Sequence, residues 1–172
     1  DAHRQNVTRH FEAIFSEQSG QAQHAAAGED LAVFDRLGYK EGAAIERRFG
    51  VPPSVLIAIW GRETNFGNFR LPHKAIEVLA TQAYLGRRKD MFRQEFLLAL
   101  KILQEQHVAY AAMKASWAGA MGHTQFLPTD FFKYGVDMDG DGHRDIWNSM
   151  PDALGAAASQ LLAKGWDKGK RW

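Results

Sequence analysis

The chain has 172 residues, 45% of them hydrophobic, with 21 basic side chains against 20 acidic ones and no cysteine. That is enough for one domain with a sizeable core and argues against wholesale disorder, while the near-neutral charge gives no electrostatic case for nucleic acid or an anionic membrane. Disulfides and thiolate chemistry are excluded, no apolar run approaches the ~18 residues of a spanning helix, and the start DAHRQNVTRH lacks a signal-peptide core.

Residues 4–17 hold Val7, Phe11, Ile14 and Phe15 at helical spacing, which predicts a short amphipathic helix. The small, polar run 19–28 reads as a linker, so we divide the chain into a helix and linker, 1–28, and a main domain, 29–172. A helix-rich stretch from Asp30 to Phe49 follows, interrupted near Gly38 and closed by Gly50. Leu31, Phe34 and Leu37 form one core stripe there, and Ala44, Ile45 and Phe49 the next.

The stretch from Val51 to Gly67 organises the rest. Pro52 and Pro53 suit the first turn of a helix, where a missing N–H is harmless. Val55 to Trp60 then run without a polar break, as a helix apolar on every side does inside a domain. Glu63 lies one turn beyond Ile59 and continues that face, so it is expected to be buried near the negative end of the helix, with Gly67 as the stop. Both effects disfavour the ionised carboxylate and would suit a general acid. The alternative is a buried glutamate tied up by Arg47 or Arg48.

Beyond the loop Asn68–His73, a short helix is expected over 75–84, with Ile76, Leu79 and Ala83 on one side. A longer one is expected over about 90–106, with Phe92, Phe96, Ala99, Leu100 and Leu103 inward. Tyr110 to Met113 suggests another helical turn. Ser116 to Thr129 is rich in small residues, which let backbone approach backbone or ligand closely. Pro128 should open a helix to about Tyr134. Pro151 to Lys164 should form the last helix, with Leu154, Ala158, Leu161 and Leu162 inward and Gly165 as the stop. No alternating run and no internal repeat is present, so the fold class is all-α.

Between these last helices, Asp137, Asp139 and Asp141 occupy positions 1, 3 and 5 of an EF-hand-type loop, with Gly142 at the turn, the carbonyl of His143 at position 7 and Asp145 at position 9. Clustered carboxylates repel one another unless a hard cation neutralises them, so calcium is the expected ion. Position 12 is the neutral Asn148; Asp152, four residues on, could close the site. The alternative is a solvated acidic turn. A zinc site is not expected, since no cysteine and no second histidine stand at ligand spacing.

Three stretches in this order resemble one family, the B-type lytic murein transglycosylases of the bacterial cell envelope: FGVPPSVLIAIWGRETNFG, ASWAGAMGHTQFLPT and VDMDGDGHRDIW. LATQAYLGRRKDMFRQE is similar to the family's linker to its long helix, so the likeness covers about residues 45–172. The resemblance implies a lysozyme-like α-domain in the periplasm or cell envelope, monomeric, acting on peptidoglycan glycan strands. Its single glutamate, here Glu63, would cleave the β-1,4 bond between N-acetylmuramic acid and N-acetylglucosamine and close a 1,6-anhydro ring. No other acidic residue is expected in an apolar helix, which suits one catalytic carboxylate. Gln125 and Phe126 match positions that hold the sugar and its N-acetyl group, and Ser116 a hydroxyl near the carboxyl. Arg87 and Arg88 match a basic pair suited to a carboxylate of the peptide stem. Phe126 could equally be core, and Arg87 and Arg88 an exposed helix start. The family pattern continues beyond Gly165–Gly169, so the expectation is either a chain shortened at its C-terminus or a groove completed differently. Two rival functions remain open: a hydrolytic muramidase of goose-lysozyme type, and a non-catalytic, calcium-stabilised peptidoglycan-binding module.

Overall fold

The computed structural model describes residues 40–168. The expected helix over 4–17, the linker and the start of the Asp30–Phe49 stretch lie outside the described residues. Helix α1 (Lys40–Phe49) turns Ile45 and Phe49 inward and ends at Gly50, whose N–H bonds to the Glu46 carbonyl at 2.8 Å. Helix α2 (Pro53–Thr64) opens on Pro53 after an extended Pro52, as a missing donor in the first turn allows. Its stop is Asn65, left-handed at φ 48° and bonded to the Gly61 carbonyl, two residues before the glycine expected to end it.

Strand β1 (His73–Lys74) pairs antiparallel with β2 (Lys114–Ala115), His73 opposite Ala115. This pair is absent from the all-α expectation because two residues are too short to show any alternation. It ties the start of α3 (Ala75–Leu85) to the chain before the small-residue segment, and the Ala75 N–H adds a bond to the Met113 carbonyl at 2.9 Å. Helix α4 (Lys89–Gln104) packs along α3. Residues 110–113 form hydrogen-bonded turns instead of the expected helical turn. Helices α5 (Pro128–Tyr134) and α6 (Met150–Ala163) complete the described residues, each with a proline in its first turn.

Two apolar clusters meet at α6. One gathers Leu79, Phe92, Ala99, Ile102, Met121, Phe126 and Phe131 from α3, α4, α5 and the intervening segment; the other gathers Ile45, Phe49, Leu56 and Trp60 from α1 and α2. Helix α6 gives Ala153 and Ala156 to the first and Leu154, Ala157 and Ala158 to the second. Its alanine-rich middle is therefore buried on all sides, and the small side chains admit neighbours on both. The expected inward Leu162 is instead exposed. In α4 the buried line runs Phe92, Glu95, Ala99, Ile102, so the stripe is rotated: Leu100 faces solvent and a glutamate goes in. After α6 the chain folds back on α1, where the Trp166 indole donates to the Gly50 carbonyl at 3.0 Å.

Candidate active site

Glu63 stands in the last turn of α2, and it is exposed. The expected burial is not met, because the apolar face of α2 is carried by Leu56, Trp60 and Thr64 and Glu63 falls beside it. The salt-bridge alternative is not met either. Among the described residues Glu63 has no ion pair or hydrogen bond, while Arg48 reaches the Met138 sulfur and lies over the Phe49 ring. What fixes this carboxylate in space is the backbone below it. Asn65 and Phe66, two and three residues on, are both left-handed, at φ 48° and 56°. Such conformations persist only where the surroundings over-determine them, and they cluster at functional sites. Here the surroundings are Trp60, whose ring meets the Phe66 ring edge-on at 5.5 Å, and Thr64, whose hydroxyl accepts the Gly67 N–H at 3.2 Å.

The segment from Ser116 to Phe126 forms the facing wall. Its backbone is closed by bridges from Ala115 to Met121 and from Met121 to Phe126. Ser116 Oγ accepts the Ala120 N–H at 3.2 Å, so the hydroxyl proton is left to donate. Gln125 is left-handed at φ 56°, and its Nε2 donates to the Gly122 carbonyl at 3.0 Å, which leaves its Oε1 free to accept. Gly122 must be glycine: φ is +68° and a Cβ would stand 2.5 Å from the Ile146 carbonyl. Phe126 is 3% exposed and belongs to the core. Its ring offers almost no surface to a sugar; it anchors the segment instead. Trp117, next to Ser116, is 75% exposed.

The two walls are joined at His123, which the sequence did not single out. Thr64 Oγ1 donates to the His123 carbonyl at 3.0 Å, and the Trp60 indole donates to His123 Nδ1 at 3.2 Å. Glu63 is thereby brought beside the segment that carries Ser116 and Gln125. Arg87 and Arg88 are not drawn into this junction. Both are exposed at the start of α4, where the Arg88 guanidinium lies over the Phe92 ring at 5.7 Å.

The acidic loop is a separate structure. Asp137, Asp139 and Asp152 bring carboxylate oxygens within 4.8 Å of one another. Asp141 and Asp145 lie outside that group. Asp141 accepts the His143 N–H at 2.7 Å; Asp145 accepts from the backbone and side chain of Asn148 and from the Trp147 N–H. Asp137 accepts from Gly140 and Gly142, and the Gly142 N–H above all holds its carboxyl below the usual range. Asp152 is fully buried, accepting from Met138 at 2.7 Å and Asp145 at 2.8 Å; burial pushes its carboxyl up against those two donors. Sequence reasoning thus put the buried carboxylate at Glu63, whereas the structure puts buried carboxylates at Asp152 and Glu95.

Residues 10–172 match the family described as the transglycosylase SLT domain. The chain belongs to that family. Among its members, the membrane-bound lytic murein transglycosylase B of Escherichia coli K12 is 36% identical over 122 residues, 70% of this chain and 34% of its own length. SltB3 of Pseudomonas aeruginosa, solved in complex with NAG-NAM-pentapeptide and with NAG-anhNAM-pentapeptide, is 40% identical with a TM-score of 0.80 over 96% of this chain and 42% of its own. The lytic transglycosylase SLT35 of E. coli, solved in complex with calcium, gives a TM-score of 0.81 at 27% identity, over 97% of this chain and 55% of its own. The chain therefore spans a third to about half of the length of these relatives.

Proposed function

We propose that this SLT domain is a lytic transglycosylase that cleaves the β-1,4 bond between N-acetylmuramic acid and N-acetylglucosamine in peptidoglycan. Glu63 donates its proton to the glycosidic oxygen as the C1–O bond breaks. The resulting carboxylate takes the proton of the muramoyl C6 hydroxyl, whose oxygen closes onto C1 to give the 1,6-anhydro end. The proton count balances without water, and Glu63 ends as it began. Ser116 donates a hydrogen bond beside the carboxyl, and Gln125 offers Oε1 to the sugar's amide. Arg87 and Arg88 meet a carboxylate of the peptide stem. The cell envelope, where such strands lie, is the site of action.

One observation supports this reading most: a carboxylate with no hydrogen bond or ion pair among the described residues, on a helix end locked to the Ser116–Gln125 segment, in a chain of this family. That arrangement also favours catalysis over the non-catalytic binding module, which needs no unpaired acid at a strained helix end. The test is incubation with purified sacculi followed by mass spectrometry of the released fragments. The wild type should solubilise them with products one water lighter than hydrolysis gives, and Glu63→Gln should not. Release by both proteins, or by neither, overturns the proposal.

We propose further that the acidic loop holds calcium in a structural role. The donor set fits a hard cation: three carboxylates within reach of one another, one of them buried and in need of positive charge. Asp137, Asp139 and Asp152 would supply side-chain oxygens and His143 its carbonyl, while Asp141 and Asp145 brace the loop through its N–H groups. The calcium-bound SLT35 relative supports the same ion.

A further inference from the structure

Accepting the proposed acid role of Glu63, we infer that His123 is a positioning residue for it: an uncharged histidine whose Nδ1 pins the end of α2 to the Ser116–Gln125 segment. The indole Nε1 of Trp60 can only donate, so the 3.2 Å bond requires His123 Nδ1 to accept and leaves the ring proton on Nε2. The tautomer is thus fixed by chemistry. Trp60 and Thr64 lie four residues apart on one face of α2, and Glu63 sits between them. Both grip the same residue, Trp60 through the His123 ring and Thr64 through its carbonyl at 3.0 Å.

The fit around the ring is close. The Trp60 and His123 rings meet edge-on at 5.9 Å, and a Cβ on Gly67 would stand 2.7 Å from His123 Cε1. From the other side the His123 N–H bonds the Ile146 carbonyl at 3.0 Å, so the ring is carried on a fixed backbone. Burial holds its protonation below the ordinary imidazole range, which keeps the acceptor available near neutrality. Glu63 is exposed and has no hydrogen bond or ion pair among the described residues, so its direction comes from this pin.

The test compares His123→Asn with His123→Leu. Asn places Oδ1 where Nδ1 stood and can still accept; Leu has the same branched shape and cannot. Turnover of a soluble glycan oligomer should be near wild type for Asn and lower by about ten- to a hundredfold for Leu, the scale of a small misplacement. The loss should fall in kcat more than in KM, with the two variants melting alike. Hydrogen exchange at the Asn65 and Gly67 amides gives a readout independent of turnover: faster for Leu, restored for Asn. If Leu matches Asn in both kcat and exchange, the pin is refuted. If exchange follows the pattern but the wild type itself has no turnover, the pin stands and the transglycosylase reading fails.

Discussion

Glu63 and Asp152 are carboxylates at opposite ends of two helices, and they live in opposite conditions. Glu63 closes α2, exposed and without a hydrogen bond or ion pair among the described residues; Asp152 opens α6, fully buried, with both oxygens accepting backbone N–H groups. A carboxylate whose oxygens are already engaged cannot exchange a proton with a substrate without tearing its loop. One that is free can, provided something else aims it. Burial marks the structural acid here, and an unengaged carboxylate marks the one proposed for the chemistry.

Substitutions should separate the two roles cleanly. Glu63→Gln should lower turnover by ~10²–10⁴-fold, the usual worth of a positioned acid and base, and leave the melting temperature within about a degree. Asp152→Ala should do the reverse for the fold, leaving the Met138 and Asp145 N–H groups unpaired at a cost of about 2–4 kcal/mol. A thermal melt of both variants beside a turnover assay checks the pair. If Glu63→Gln proves the less stable of the two, the distinction collapses.

Calcium sharpens the same contrast. A cation that binds the folded state alone adds about 2.7 kcal/mol at a hundredfold excess over Kd, so chelation should lower the melting temperature by about 2–8 °C. Cleavage should continue wherever the chelated protein is still folded. The pH dependence follows from Asp152, whose folded pKa burial raises above its ordinary 3.8. Without the ion, that group's contribution is fully present below its unfolded pKa and is lost as pH rises through the folded value. The ion requires the ionised form, so calcium stabilisation should grow as pH rises from about 4 to about 7. A calcium effect constant across that range, measured by melting with and without chelator, would remove Asp152 from the site.

The smallest effect belongs to the second buried acid. Glu95 accepts the Thr129 N–H at 2.8 Å and its hydroxyl at 2.7 Å, fastening α4 to the start of α5. Thr129→Val should cost about 1–2 kcal/mol by denaturant titration, with turnover unchanged.

Most of the helical frame is legible in the sequence because its boundaries are set by local chemistry. The prolines at 53, 128 and 151 each open a helix, and the apolar periodicity of 75–85 and 89–104 is strong. What periodicity could not give is rotation about a helix axis. One step of roughly 100° exchanges Phe96 for Glu95 and Leu103 for Ile102 at the core, and it moves Glu63 from the buried face of α2 to the open one. The EF-hand spacing located the acidic cluster, but a spacing rule does not say which oxygens are already taken by N–H groups. Asp145 accepts the Trp147 and Asn148 N–H groups and falls outside the three-carboxylate group. His123 was invisible for a related reason: nothing near it in sequence announces that Trp60, sixty-three residues earlier, donates to its ring.

In the proposed reaction Glu63 serves an internal hydroxyl and not water. Digesting sacculi in water enriched in oxygen-18 tests it directly. The account predicts released muramoyl ends with no heavy oxygen and a mass one water below the hydrolytic product. Heavy oxygen incorporated at the muramoyl C1 as the main product would contradict it and make the chain a hydrolase.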